Sequence, residues 1–204
     1  MVDVDTVNLW KSSALLKERE AVSAGVRSAE GNPLNLSQFI RTIPDFPKPG
    51  ILFRDITPLL RSAEAFRETV RRLAEPFRTA DIQLVAAAEA RGFLFAAPVA
   101  LQLGVGVAPI RKPGKLPWKT ISWTYQLEYG TDTLQMHADA VTPGERVLVI
   151  DDVLATGGTV EACCRMIEQA GGIVAGCAFL VELCSLGGRN RLQNYPLFSL
   201  IQYD

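Results

Sequence analysis

Two adjacent carboxylates stand directly before a small, glycine-containing turn in the stretch VLVIDDVLATGGT, residues 147–159. Four apolar residues precede Asp151 and Asp152, a pattern typical of a buried strand that ends at these acids. Backbone N–H groups in the following turn, with the positive N-terminal end of the next helix, can bind a phosphate dianion. Carboxylates accept hydrogen bonds, so they suit vicinal hydroxyls or a cation on the same ligand. The stretch therefore predicts a sugar-phosphate site.

The turn itself, Ala155, Thr156, Gly157, Gly158 and Thr159, supplies the donors that such a phosphate needs. The glycines allow a close backbone approach, and the threonines add hydroxyl groups. An ordinary strand-to-helix turn is the alternative interpretation, and the paired acids after an apolar run argue against it. The lysine of the G-x-x-x-x-G-K-[ST] loop is missing, so we expect the phosphate to be held and not transferred.

The composition excludes several classes of protein. The chain has 204 residues, is 48% hydrophobic and carries a net charge of −1, so it has no general attraction for nucleic acid or anionic membranes. No apolar run is long enough to span a membrane, and the acidic N-terminus does not resemble a secretory signal. The four cysteines form no C-x-x-C pair and His137 is the only histidine, so a zinc site is not expected. These features indicate reduced core thiols in a cytoplasmic protein.

Apolar strands alternate with helical segments from residue 82 onward, which predicts an α/β domain with a mostly parallel sheet covered on both faces. Residues 1–33 are interpreted as an N-terminal arm and residues 34–204 as the domain. Within the domain, LNLSQFIRTI is predicted to be a short amphipathic helix, and a second helix is expected after Ser62 as its N-cap. Residues 111–133 are expected to form a long polar loop, followed by the hairpin strand LQMHAD.

The stretch VLVIDDVLATGGT resembles the 5-phosphoribosyl 1-pyrophosphate (PRPP) signature of the type I phosphoribosyltransferases. Further stretches, in the family's order across residues 36–204, resemble the adenine phosphoribosyltransferases: FPKPGILFRDITPLL, EARGFLFAAPVALQLG, IRKPGKLP, YQLEYGTDTLQMH and VELCSLGGRNRL. The resemblance implies the type I fold, a twisted mostly parallel sheet flanked by helices, with a small N-terminal hood around residues 44–60. It also implies conversion of adenine and PRPP to AMP and pyrophosphate in purine salvage. Mg²⁺ would be bound mainly through PRPP, and the protein would be a homodimer.

The resemblance assigns the phosphates of PRPP to three loops. Residues 155–159 would hold the 5-phosphate, with Asp151 and Asp152 near the ribose hydroxyls. Arg91 would lie in the pyrophosphate loop, where the family often has a cis peptide, here Ala90–Arg91. The basic stretch RKPGK would place Arg111 and Lys115, and less firmly Lys112, around the pyrophosphate; a solvated charged surface is the alternative.

Adenine would bind beside the hood. By resemblance, Phe53 would stack on the purine, backbone groups of Leu52 and Arg54 would bind its edge, and Leu183 would cover its other face. Core packing is the competing interpretation of Phe53. Glu128, with the neighbouring Tyr129, would lie near the reacting groups, either to move a proton at adenine or to stabilise the developing charge. Residues 112–130 would close over the site and exclude water.

Two other functions fit parts of this pattern. A related enzyme could use hypoxanthine, guanine, xanthine or orotate, although FPKPGILFRDITPLL argues for adenine. A non-catalytic PRPP-binding regulator would need a DNA-binding module or a basic surface. The roughly 35 residues before the domain are too few for such a module and begin with acidic residues.

Overall fold

The computed structural model describes residues 34–126 and 130–204. The predicted arm, together with Glu128 and Tyr129, therefore lies outside the described residues. The described part begins with a 3-10 helix at Leu36–Phe39 and an antiparallel hairpin of β1 (Arg41–Pro44) and β2 (Leu52–Asp55). The single helix predicted for LNLSQFIRTI is thus wrong. Asn35 caps one 3-10 turn through its side chain, and the chain then extends to pair with β2.

The remaining α-helices and strands follow in chain order. They are α1 (Thr57–Arg61), α2 (Ala63–Ala74), β3 (Leu84–Ala88), α3 (Gly92–Leu103), β4 (Gly106–Ile110), β5 (Thr120–Gln126), β6 (Thr131–His137), β7 (Arg146–Leu154), α4 (Gly158–Gln169), β8 (Ile173–Leu183), α5 (Gly188–Arg191) and β9 (Leu197–Tyr203). The Ser62 hydroxyl accepts a hydrogen bond from the Ala65 N–H at 3.2 Å and caps α2 as expected.

Five parallel strands form the central sheet in the order β4-β3-β7-β8-β9, which confirms the predicted α/β fold class. Alternate residues of β3 face opposite sides of the sheet. Ala86 and Ala88 belong to the buried cluster that contains Cys163 and Ile167 of α4, whereas a Cβ placed on Gly92 of α3 would lie 3.4 Å from the Ala87 methyl. Helices α3 and α4 therefore cover opposite faces of the sheet.

The predicted polar loop instead contains a strand. β5 and β6 pair in antiparallel register as a separate two-stranded sheet, from Thr120 opposite His137 to Gln126 opposite Thr131. Ile121 and Tyr125 of β5 pack against the core cluster, so apolar residues at alternate positions favour the extended chain over a loop.

Two further features concern the core and the surface. Cys163, Cys164 and Cys177 are free and buried, in agreement with their interpretation as core thiols, whereas Cys184 is free but only half-buried. Within the described ranges, no helix is both long and apolar enough to cross a membrane.

Candidate active site

The carboxylate pair lies beyond the end of one neighbouring strand. The pairing of β3 with β7 stops at Ala87 opposite Ile150. On the other side β7 continues along β8, with Asp151 opposite Phe179 and Leu154 opposite Glu182. The prediction that the strand ends at the acids is therefore wrong. The strand continues because β8 is longer than β3. Both carboxylates therefore lie at the C-terminal end of the sheet, where β7 has a neighbour on the β8 side and none on the β3 side.

Asp151 and Asp152 differ in their surroundings. Asp152 is only 6% exposed, and its Oδ2 lies 2.5 Å from Nε of Arg91 in an ion pair that lacks hydrogen-bond geometry. Asp151 keeps part of its surface exposed, and its Oδ1 accepts the Asp152 N–H at 2.9 Å. Burial and the adjacent Asp152 charge raise the pKa of Asp151 well above its usual range. The two carboxylates therefore repel each other, and a hydroxyl-bearing ligand or a cation would reduce this repulsion.

A glycine that the sequence reading passed over makes room for this pair. Gly92 opens α3, and a Cβ there would lie 3.0 Å from the Asp151 carboxylate and 3.1 Å from the Ile150 carbonyl oxygen. Both contacts are tighter than side chains ordinarily make, so α3 starts this close to β7 only because residue 92 has no side chain. The order Arg-Gly at a strand-to-helix turn was the available signal.

Residues 155–159, hereafter the phosphate cradle, line a small cavity of about 70 Å³ with Asp151 and the start of α4. Gly157 caps α4 with φ of +81°, a left-handed conformation that other residues adopt at a cost. A Cβ at Gly157 would also lie 2.9 Å from the Gly188 carbonyl oxygen. On the side of the β5–β6 sheet, the Thr159 hydroxyl lies 3.2 Å from the Tyr125 hydroxyl. The cradle is thus in contact with α5 through Gly157 and with β5 through Thr159.

A larger cavity of about 530 Å³ joins the residues predicted for the base to those predicted for the sugar. Its lining includes Leu52, Phe53, Arg54, Leu183, Glu89, Ala90, Arg91, Asp151, Asp152, Ala155 and Thr159. The cavity therefore brings together four parts of the chain, near residues 52, 90, 155 and 183, that are separated by up to about 130 residues.

Two side chains of β2 have clear partners in this cavity's wall. The Phe53 ring packs edge-on against Phe46 with 5.1 Å between centroids, and the Arg91 guanidinium lies 5.8 Å from the Phe53 centroid. The Arg54 guanidinium lies 3.8 Å from the centre of the Tyr203 ring and donates to the Thr42 hydroxyl. The side chain of Arg54 is therefore occupied by protein contacts, whereas the Phe53 ring is half-buried at the cavity.

The basic stretch, residues 111–115 and hereafter the cationic loop, does not line this cavity. Nε of Arg111 donates to Glu89 at 2.6 Å, and the Lys112 ammonium pairs with Asp132. Burial works against ionisation of Glu89, but the Arg111 and Lys112 hydrogen bonds outweigh it and lower the pKa of Glu89. The hydrogen bond from Lys112 likewise lowers the pKa of Asp132. Lys115 is exposed.

The loop before Arg91 does contain a cis peptide bond, but it joins Glu89 to Ala90. The prediction of Ala90–Arg91 is wrong by one residue, because the resemblance placed the loop without fixing which peptide turns. The sequence analysis did not single out Glu89 or Asp132; for Glu89, its place at the start of EARG was the available signal.

Over residues 34–126 and 130–204, no group of three or more His, Cys, Asp or Glu side chains converges on one point. Asp151 and Asp152 offer two hard oxygen ligands, which Mg²⁺ uses when a substrate phosphate completes its coordination.

Comparison with known proteins agrees with this geometry. Residues 59–199 match the phosphoribosyl transferase domain. The adenine phosphoribosyltransferase of Roseiflexus sp. (strain RS-1) is 58% identical over 169 residues, 83% of this chain and 98% of the relative. The crystal structure of adenine phosphoribosyltransferase from Thermoanaerobacter pseudethanolicus has a TM-score of 0.80 at 53% identity and covers 82% of this chain and 98% of that one.

A second solved structure, the Saccharomyces cerevisiae adenine phosphoribosyltransferase complexed with an imino-altritol bisphosphate and adenine, has a TM-score of 0.77 at 38% identity, with 81% of this chain and 96% of that one covered. The chain therefore belongs to the adenine phosphoribosyltransferase family.

Proposed function

We propose that this site transfers the 5-phosphoribosyl group from PRPP to adenine and releases AMP and pyrophosphate. The observation that carries the proposal is the 530 Å³ cavity, because it joins an aromatic wall at β2 to the carboxylates of β7 and ends at the phosphate cradle. A ligand with a flat base, a hydroxylated sugar and a terminal phosphate matches these three parts in order.

The sugar phosphate would bind at the β7 end. Backbone N–H groups of residues 155–159 and the hydroxyls of Thr156 and Thr159 would donate to the 5-phosphate. The carboxylates of Asp151 and Asp152 would accept hydrogen bonds from the ribose hydroxyls. Because Asp151 is partly buried beside another acid, two donated hydroxyls would stabilise its charged form.

Pyrophosphate would leave towards Arg91, Arg111, Lys112 and Lys115. Their positive charges would stabilise the negative charge that grows on the leaving group. Mg²⁺ bound through PRPP would supply further charge neutralisation, and Asp151 and Asp152 are the residues that would reach it from the protein. Arg91 can serve this role only by turning away from Asp152, to which it is now paired.

Adenine would lie between Phe53 and Leu183, with its edge bound by backbone groups of Leu52 and Arg54. The Arg54 side chain is engaged by Tyr203 and Thr42, so only its backbone is available for recognition. A backbone carbonyl would accept from the exocyclic amine of adenine, and a backbone N–H would donate to a ring nitrogen. Hypoxanthine has a carbonyl oxygen in place of the amine, so two acceptors would face each other.

The reaction would break the bond between the anomeric carbon and pyrophosphate through an oxocarbenium-like transition state, as in glycosyl transfer generally. The cradle and the base pocket would hold the sugar and adenine in line, so that the protein's main contribution is alignment and charge stabilisation. Glu128, with Tyr129 beside it, is proposed on resemblance alone to move a proton at adenine or to stabilise the sugar cation.

The experiment measures kcat/KM for adenine and hypoxanthine in wild type, Arg54→Ala and Phe53→Ala. Wild type should prefer adenine by roughly tenfold to a few hundredfold, since an unsatisfied buried polar group costs about 1–3 kcal/mol. Arg54→Ala should keep most of this preference, and Phe53→Ala should weaken use of both bases. Loss of the preference in Arg54→Ala alone would contradict backbone recognition.

We infer a homodimer in the cytoplasm, with residues 34–204 as the catalytic domain, residues 44–60 as the hood and residues 1–33 as an arm outside it. Sedimentation of the full chain tests the dimer. Activity of a variant that begins at residue 34 tests the domain boundary.

A further inference from the structure

We infer that Glu182 and Arg189 are positioning residues, whose ion pair holds the short helix α5 against the phosphate cradle and so ties the two ends of the ligand site together. This inference rests on the proposed function, because it assigns the pair a role in binding PRPP. Neither residue lines the cavity or the cradle.

The pair is a buried carboxylate held by a two-pronged guanidinium contact. Glu182 is 3% exposed. Arg189 donates from Nε and Nη2 to the two carboxylate oxygens at 2.8 and 2.6 Å, and the Gln202 amide donates to the carboxylate at 3.2 Å. The Arg189 hydrogen bonds lower the pKa of Glu182 to about 2, so the carboxylate is ionised at any pH where the protein works. Such geometry fixes direction as well as distance.

One end of this pair belongs to the base pocket. Glu182 directly precedes Leu183, the last residue of β8, and Leu183 lines the 530 Å³ cavity. Glu182 and Leu183 pair with Gln202 and Tyr203 of β9, and the Tyr203 ring carries the Arg54 guanidinium. The backbone that presents Leu183 to the base is therefore fixed next to the buried carboxylate.

The other end reaches the cradle through the backbone of α5. A Cβ on Gly188 would overlap the Ala155 carbonyl oxygen and lie 2.9 Å from the Leu154 side chain. A Cβ on Gly157 would lie 2.9 Å from the Gly188 carbonyl oxygen. The two glycines thus form a close contact between backbones, and Arg189, the next residue along, carries the ion pair. A shift of α5 would move the cradle directly.

A positioning role explains why a charged pair occupies this place. Buried ion pairs contribute little net stability, since well-packed apolar residues of similar size often stabilise a fold as well or better. What apolar packing lacks is the directional, two-point contact that holds a four-residue helix in one orientation. We expect the pair to matter for binding geometry more than for folding.

The test uses Glu182→Gln and Arg189→Lys in the full chain. Glutamine keeps the size of the buried side chain, and Arg189 is 44% exposed, so water can hydrate its charge when the carboxylate is lost. Lysine keeps the charge but loses the second contact. Arg191→Met is the matched control, because Arg191 lies on the same helix but pairs with the half-buried Glu161 of α4 at 3.4 Å.

In Glu182→Gln, KM for PRPP and the dissociation constant for ribose 5-phosphate should rise about tenfold, the loss expected when a charge-assisted hydrogen bond is weakened. The KM for adenine should rise by a smaller factor and kcat should stay nearly unchanged, the signature of lost ground-state binding. Arg189→Lys should fall between Glu182→Gln and wild type. Arg191→Met should match wild type.

Three results would overturn the inference: unchanged PRPP and ribose 5-phosphate binding in both variants, a lower Tm with no change in KM, or an equal defect in Arg191→Met. A wild-type protein that makes no AMP would contradict the proposed function instead. The ribose 5-phosphate titration would still decide whether the pair positions the cradle.

Discussion

The phosphate cradle and the cationic loop prepare for a negatively charged ligand in opposite ways. The cradle presents backbone groups that are fixed by glycine contacts and by the Tyr125 hydroxyl, and the residues that line its cavity include no Lys or Arg. The cationic loop carries three cations, two of which are already neutralised by Glu89 and Asp132. A ligand phosphate can enter the cradle directly, whereas pyrophosphate must compete with protein carboxylates.

This difference teaches where specificity and where release should lie. A preorganised cradle loses little on binding, so it should dominate affinity for the sugar phosphate. A cation that must first leave a protein carboxylate has a lower net affinity for pyrophosphate. This lower affinity favours the departure of pyrophosphate after transfer. Arg91 follows the second pattern, because Asp152 holds it in the free protein.

The largest effect should come from the cradle. Gly157→Ala puts a Cβ 2.9 Å from the Gly188 carbonyl oxygen at φ of +81°. We expect PRPP affinity to fall by about a hundredfold or more, because two or more charge-assisted hydrogen bonds would be lost. Calorimetry with PRPP measures this loss.

Gly144→Ala is its control. Gly144 has nearly the same backbone conformation, φ of +83°, but a Cβ there would meet nothing within 4 Å. It should lose a similar amount of stability to backbone strain and keep its PRPP affinity. Equal loss of affinity in both variants would mean that strain, and not the cradle, is responsible.

The carboxylates should show activity and stability moving in opposite directions. Asp151→Asn should lower turnover roughly tenfold to a hundredfold by weakening a charge-assisted hydrogen bond to ribose. Because the raised pKa of Asp151 makes its ionised form unfavourable in the folded state, the same change should raise Tm at pH 7. A double variant with Asp152→Asn should be less active still. A folded double variant with wild-type activity would exclude the sugar-binding role.

A smaller effect of opposite sign is expected at the cationic loop. Asp132→Asn frees the Lys112 ammonium from its carboxylate partner. Pyrophosphate should then bind a few-fold more tightly, since surface ion pairs contribute about 0–1 kcal/mol. Titration with pyrophosphate at low salt checks this, and weaker binding would show that Asp132 supports Lys112 instead of competing for it.

The last effect concerns acid stability and not ligand binding. The pKa of Glu182 falls from 4.5 to about 2 on folding, so its contribution to stability is present above pH 4.5 and is lost as the pH falls towards 2. Thermal unfolding of Glu182→Gln should therefore depend less on pH in that window than wild type. Glu68 on α2 is the control, because the hydrogen bond from Arg71 is the main cause that lowers the pKa of Glu68 to about 2. Glu68→Gln should flatten the same window and leave PRPP binding unchanged.

The parts predictable from sequence were those in which the local pattern and the ligand chemistry coincide. The run from β7 through the cradle into α4 combines an apolar strand, paired acids and glycines, and each feature has one simple explanation. The alternation of β3, α3 and β4 was equally clear, because each element ends directly before a glycine or a charged residue.

The parts missed depend on contacts between distant segments. The length of β7 beyond the acids is set by β8, and the need for Gly92 and Gly188 is set by Asp151 and Ala155. The strand β5 follows a stretch rich in Pro, Gly and Lys, which favours a loop. The alternation of Ile121, Trp123 and Tyr125 is nevertheless typical of a strand. The partners of Arg91, Arg111 and Lys112 follow from packing alone.

The central claim is that this cavity joins adenine to a phosphoribosyl group. The most direct measurement follows nucleotide formation by the full chain from PRPP and Mg²⁺ with adenine, hypoxanthine, guanine or orotate, each at equal concentration. We expect rapid formation of AMP and pyrophosphate with adenine and at least about tenfold slower reaction with every other base. Equal use of adenine and hypoxanthine, or PRPP binding with no nucleotide formed from any base, would contradict it.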